Sequence, residues 1–150
     1  MALLIVRCTT GTPQFQELVA GLDADLSSRY GDVQSLYTPH NKVAEIQTAV
    51  LALEDGRPVG CGCFKLHAPE TIELKRMYVI PEARGRRIAA QIVAALEAWA
   101  RELGHTTVVL ETGNLQHEAI ALYTRCGYER TPCFPPYDEL PASVCMKKSL

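Results

Sequence analysis

Apolar positions recur in two rhythms along this chain, and the changes of rhythm mark its elements. Leu3 to Cys8 is a short, partly β-branched run that reads as a first strand. Thr12-Pro13 then offers a helix N-cap followed by proline at the first helical position, where the missing amide proton costs nothing. Phe15, Leu18, Val19, Leu22, Leu26 and Tyr30 follow at helical spacing, with Gly21 as a weak point, and Gly31 closes the helix. Asp32 to Val43 keeps neither rhythm, although Val33, Leu36 and Tyr37 fit one helical turn before Pro39. Ile46 to Glu54 and Val59 to Leu66 read as two strands joined by a tight turn at Asp55-Gly56. Glu70 to Ile80 is the next strand, ended by Pro81, which has no amide to give a neighbour.

The stretch from Tyr78 to Leu103 organises the rest. Ile88, Ile92, Val93, Leu96, Trp99, Ala100 and Leu103 predict one long amphipathic helix with Gly104 as its C-terminal cap. Between strand and helix lies Arg84-Gly85-Arg86-Arg87-Ile88-Ala89. A small-residue loop at a helix N-terminus aims unpaired amides outward with the positive end of the helix dipole behind them, so it can seat a polyanion. A solvated basic helix start fits the loop equally well. Thr106 to Thr112 then reads as a strand, Gln116 to Arg125 as a helix capped by Gly127, and Tyr128 to Thr131 and Val144 to Lys147 as the last strands. Pro132 to Tyr137 is a stiff aromatic loop between those two. A hairpin followed by β-α-β-α-β order predicts an α/β (α+β) domain, a mixed sheet covered by helices.

Composition narrows the function classes. At 150 residues the chain is one domain's worth, and 47% hydrophobic with 21% charged residues describes an ordinary globular protein. A net charge of −2, with no basic face beyond Lys75 to Arg87, argues against nucleic acid as a partner. The opening apolar run is too short for a signal peptide and no window approaches a membrane span, which points to the cytoplasm. In that reducing setting the six cysteines (8, 61, 63, 126, 133 and 145) read most simply as small buried hydrophobes. Cys61 and Cys63 would face the same way on a strand, but neither a second pair nor a histidine cluster stands at zinc spacing, so no metal site is expected.

Two motifs carry a resemblance. The loop Arg84 to Ala89 resembles the pyrophosphate loop R/Q-x-x-G-x-G/A of the GNAT superfamily of N-acetyltransferases, with Arg87 where glycine is usual. Gln116 to Tyr128 is similar to the family's N-x-x-A-x-x-L-Y-x-x-x-G-F/Y. Ala119, Leu122, Tyr123, Gly127 and Tyr128 are in register, and Gln116 stands in place of asparagine. The resemblance covers roughly residues 54 to 148 and implies the GNAT fold, six to seven strands flanked by about four helices. It implies acetyl-CoA bound by the loop residues Arg84, Gly85, Arg86, Arg87, Ile88 and Ala89, by the backbone of Met77, Tyr78 and Val79, and beside Gln116 and Tyr123. It also implies acetyl transfer to a small amine or amino-acid-like acceptor. A peptide or protein amine, and a CoA-binding module without turnover, are the alternatives. Many resembling proteins are dimers, and the sequence leaves a monomer and a homodimer both open.

The chemistry can be assigned to candidates. An α-amino group titrates near ~8 and a lysine amine near ~10.4, so the acceptor needs a base. Glu73 is the first candidate, on the strand that resembling enzymes use for a catalytic glutamate near a bulge; Glu111, at the end of the neighbouring strand, is the second. Each could instead be an exposed strand carboxylate, or a partner for Lys75 or Arg76. Tyr123 is the candidate acid, since the family's tyrosine donates a proton to the departing thiolate, and a packing role is the alternative. The amide of Tyr78 or Val79 is expected to polarise the thioester carbonyl. Tyr30, Tyr37, Asn41, Phe134 and Tyr137 border the expected acceptor cleft, or simply pack.

Overall fold

The computed structural model describes residues 2–31 and 45–150. The N-terminal strand β1 (Leu3–Cys8) leads into α1 (Pro13–Tyr30), and β2 (Ala49–Glu54) and β3 (Arg57–Ala68) form a hairpin. Then come β4 (Thr71–Val79), a 3₁₀ turn at Pro81–Ala83, α2 (Ile88–Glu102), β5 (Thr107–Gly113) and α3 (His117–Arg125). After these come β6 (Glu129–Thr131), a second 3₁₀ turn at Tyr137–Glu139 and β7 (Ser143–Ser149). The predicted elements are all present, with ends shifted by a few residues. Three α-helices stand among the described residues, against the four or so that the resemblance implies. The ambiguous stretch 32–43 lies outside the described residues, and so do Tyr37 and Asn41.

All ten elements serve one seven-stranded sheet, in the order β1-β2-β3-β4-β5-β7-β6. Every neighbouring pair is antiparallel except β4 and β5, which the α2 crossover makes parallel. The β2–β3 hairpin turns at Asp55 and Gly56, both at positive φ (51° and 83°), as the predicted tight turn requires.

Each face of the sheet has its own core. On one, α2 buries Ile88, Ile92, Val93, Leu96 and Ala100 against Val50, Phe64, Ile72, Leu74, Val108 and Leu110, and Tyr123 and Tyr128 join them. Each large aliphatic buried here stabilises the fold by about 1.5–3 kcal/mol. On the other face, α1 packs Phe15 and Leu18 on Ala49, Leu51, Cys61 and Cys63. The run Gly60-Cys61-Gly62-Cys63 divides between the two faces by strand alternation. A Cβ at Gly62 would collide with the Met77 sulfur and crowd Ile92 and Leu96, so this position must be bare for α2 to lie close.

The cysteines do not all behave as the sequence suggests. Cys61 and Cys63 are buried, and Cys8 and Cys126 half-buried, as free thiols. Cys133 and Cys145 are joined in a disulfide, Cα–Cα 5.1 Å, because the β6–β7 register sets Thr131 opposite Cys145 and brings Cys133 alongside. Among the described residues no group of histidine, cysteine and carboxylate side chains converges as metal ligands. No described helix is long and apolar enough to cross a membrane.

Candidate active site

The site is made by two strands that part company. β4 and β5 pair from Thr71–Thr107 to Leu74–Leu110 and no further. β5 continues beside β7 as far as Gly113–Ser143, while β4 stays with β3 through a bulge. There Cys61 and Cys63 of β3 face Tyr78 and Lys75 of β4, so two steps on one strand match three on the other. Arg76 absorbs the extra residue at φ 59°. The thiols of Cys61 and Cys63 donate to the carbonyls of Arg76 and Lys75, each at 3.4 Å, holding the bulge from beneath. Burial pushes the Cys63 thiol up to about 12 and raises Cys61 as well, so both stay protonated donors.

A cleft of roughly 770 Å³, open mouth included, fills the gap between the strands. Leu22, Leu26 and Tyr30 of α1 form one wall, residues 73–77 of β4 another, and Glu111, Thr112 and Gly113 of β5 the third; Gln116, Ala119 and Tyr123 come from the α3 end and Tyr137 from the second 3₁₀ turn. The structure therefore gathers Glu73, Glu111, Tyr123, Tyr30, Tyr137, Met77 and Gln116 in one place. Phe134 does not line the cleft; its ring packs between His67 (4.7 Å) and Tyr137 (5.5 Å).

The two carboxylates differ in surroundings. Glu73 is buried in a triad: Lys75 Nζ lies 3.5 Å from Glu73 Oε2 and donates to the Tyr137 hydroxyl at 2.9 Å, and that hydroxyl lies 3.2 Å from Glu73 Oε2. Burial lowers the Lys75 ammonium's pKa while Glu73 opposes it. Glu111 accepts one hydrogen bond, from Ser143 Oγ at 2.9 Å, and burial still pushes it up to about 7. Glu111 thus titrates where a base must work at neutral pH. Ser143 carried no signal in the sequence. It is Gly113's partner across the β5–β7 ladder, two residues from Glu111's own partner Cys145 and so on the same face.

Tyr123 is buried on α3, with its ring edge-on to Tyr128 (5.8 Å). Burial raises its phenol, so it is protonated throughout the neutral range. Tyr128 serves packing: its hydroxyl donates to Glu97 at 2.8 Å, which Lys148 also holds at 3.1 Å. Tyr30 reaches from the end of α1 to accept from the Leu115 amide at 3.1 Å. A Cβ on Gly113 would run into that hydroxyl, so Gly113 keeps Tyr30 over the cleft. Gln116 lines the cleft, but its Oε1 is taken by the Gly113 amide at 3.0 Å.

The basic loop joins β4 to α2. Its three arginines do different things. Arg84 Nε donates to the Val79 carbonyl at 2.9 Å and its guanidinium stacks on Tyr78 at 5.6 Å. Arg86 forms a two-pronged ion pair with Glu54, at 2.6 and 3.1 Å. Arg87 is the N-cap of α2, at φ 62°, ψ 21°, and no side chain among the described residues caps the first amides of the helix. The conformation explains why glycine is usual there, since left-handed backbone costs any other residue. Arg87→Gly is expected to stabilise the fold by about 1 kcal/mol and to leave the loop intact. A thermal melt of the variant at or below wild type would contradict this.

Residues 16–128 match the Acetyltransferase (GNAT) family. The chain belongs to that family. The IAA acetyltransferase of Azospirillum brasilense is 33% identical over 143 residues, 90% of this chain and 92% of that protein. A Klebsiella pneumoniae protein whose name places it with the acyl-CoA N-acyltransferases has a crystal structure that superposes with a TM-score of 0.82. It is 38% identical and covers 99% of this chain and 97% of that one. A Bacillus subtilis acetyltransferase crystallised with CoA shares the fold, TM-score 0.70 at 17% identity over 99% of each chain. The GNAT fold expected from the motifs is thus the fold observed, and the chain is an acetyltransferase-family enzyme.

Proposed function

We propose that this GNAT enzyme transfers the acetyl group of acetyl-CoA directly to the primary amine of a small molecule, in the cytoplasm. Glu111 acts as the base and Tyr123 as the acid. The observation that carries the reading is the pairing, in one cleft, of a carboxyl poised near 7 with a buried phenol that stays protonated.

Acetyl-CoA fits the residues present. Beyond Leu74, the edge of β4 turned away from β3 has no strand beside it among the described residues, so Met77 to Val79 can pair with an extended amide-bearing arm. The uncapped first turn of α2 and the turn at Gly85 offer amides to a pyrophosphate. When bound, acetyl-CoA supplies an activated acyl group on a thiol leaving group. Glu111 would take one proton from the acceptor's ammonium, the Tyr123 hydroxyl would give its proton to the leaving sulfur, and the second proton that the nitrogen sheds on becoming an amide would restore the phenol. Burial makes that phenol a weaker acid, but the same dry surroundings make the thiolate a stronger base, so the two stay matched. Glu73, locked to Lys75 and Tyr137, holds the β4 wall in place.

Incubation of the protein with acetyl-CoA and a panel of small primary amines tests the reading. Free thiol should appear in step with N-acetylated amine. Binding of CoA without thiol release from any amine would leave only a binding module.

A further inference from the structure

The inner cleft holds two cations beside its two carboxylates, and they are consecutive residues. On a regular strand Lys75 and Arg76 would point to opposite faces, but the bulge at Arg76 lets both line the cleft. Lys75 is engaged with Glu73 and Tyr137. Arg76 is held differently. Its side chain is only 9% exposed, and its Nη1 and Nη2 reach Asp23 of α1 at 3.0 and 3.5 Å. Its Nε is buried with no hydrogen-bond partner among the described residues. Asp23 itself is half exposed.

We propose that the acceptor is an amine bearing a carboxylate close to its amino group, and that Arg76 binds this carboxylate by exchanging Asp23 for it. The inference rests on the amine-acetylating reading above and names the acceptor's class. A guanidinium is built to take a carboxylate with two parallel hydrogen bonds, and an N–H left buried and unpaired favours any rearrangement that satisfies it. Asp23 loses little on release, because water can solvate it at once. A carboxylate inside the cleft gains more from the same guanidinium, since the surroundings are drier. A polyamine would meet Lys75 and Arg76 with no anion of its own, whereas a zwitterion sets its carboxylate on Arg76 and offers its amine to Glu111.

The test is steady-state acetylation of a panel of α-amino acids, each beside its carboxamide, with putrescine as a third arm. The best acid should exceed its amide in kcat/KM by about tenfold or more. Arg76→Gln should remove most of that ratio by raising KM far more for the acid than for the amide, and Arg76→Lys should restore part of it. The wild-type ratio needs no variant, so a poorly folding Arg76→Gln protein would not shield the inference. Amide or putrescine acetylated as well as the acid would overturn it, as would a ratio unmoved in a folded Arg76→Gln protein. Either result leaves acetyl transfer itself standing. Failure of every amine in the panel, with no thiol released, would end both readings.

Discussion

Tyr123→Phe is expected to leave the protein folded and to lower turnover by about 10²–10⁴-fold, the usual contribution of a general acid or base. The ring stays, so its contact with Tyr128 and its place in the α2-side core are kept. Only the hydroxyl is lost, and the structure gives that hydroxyl no hydrogen bond to any described residue. A purely structural tyrosine would therefore lose almost nothing on becoming phenylalanine, and that makes the substitution decisive. The thermal melt should match wild type while kcat falls. Wild-type kcat at saturating acetyl-CoA and amine, in an assay limited by the chemical step, would remove Tyr123 from the reaction.

Glu111→Gln should have an effect of the same order on rate, and an opposite one on stability. Burial raises the Glu111 carboxyl from its ordinary 4.5 to about 7, so the folded state prefers it protonated. The stability this contributes is fully present below about 4.5 and is lost as pH rises towards about 7, because the unfolded chain ionises first. Glutamine never ionises. Glu111→Gln should therefore gain stability relative to wild type as pH rises across that window, and keep the gain above it. Catalysis runs the other way: the ionised carboxylate is the working form, so wild-type kcat/KM for the acceptor should rise through about 7. The variant should lose that limb and recover partly at higher pH, where more of the amine is already neutral. Paired melts and rate profiles from pH 5 to 9 check both signs together. A variant that keeps the limb near 7 would return the role of base to Glu73.

Much of this could be read from the chain before folding. The 3.6-residue stripe from Ile88 to Leu103 gave α2, and Asp55-Gly56 gave the hairpin. The motif around Tyr123 placed that residue beside the cleft that also holds Glu73 and Glu111. What the sequence hid were consequences of pairing between distant strands. The bulge on this strand is expected only through the family resemblance; nothing in Glu73-Leu74-Lys75-Arg76 itself announces it, since those residues suit regular alternation. The bulge follows from how β3 and β4 register, and it sets Arg76 in the cleft wall beside Lys75, which still pairs with Glu73. Ser143 reaches Glu111 only because β7 runs beside β5, and the Cys133–Cys145 bond needs the β6–β7 register. The loop arginines read as one basic patch, yet Glu54 claims Arg86 and the Val79 carbonyl claims Arg84. Phe134 looked like cleft lining because the aromatic loop carries both it and Tyr137, and only Tyr137 turns inward.

In the proposed reaction the acyl group passes straight from the thioester to an amine by the groups of this cleft and never rests on the protein. Cys61 and Cys63 are the nearest rivals, but they are buried, protonated and committed to the bulge carbonyls. A single-turnover experiment under rapid quench, with enzyme in excess over acetyl-CoA and mass spectrometry on both protein and amine, tests this directly. N-acetylated amine should form as free thiol appears, while the protein's mass never changes. An acetylated protein that forms and decays at the rate of turnover would contradict it.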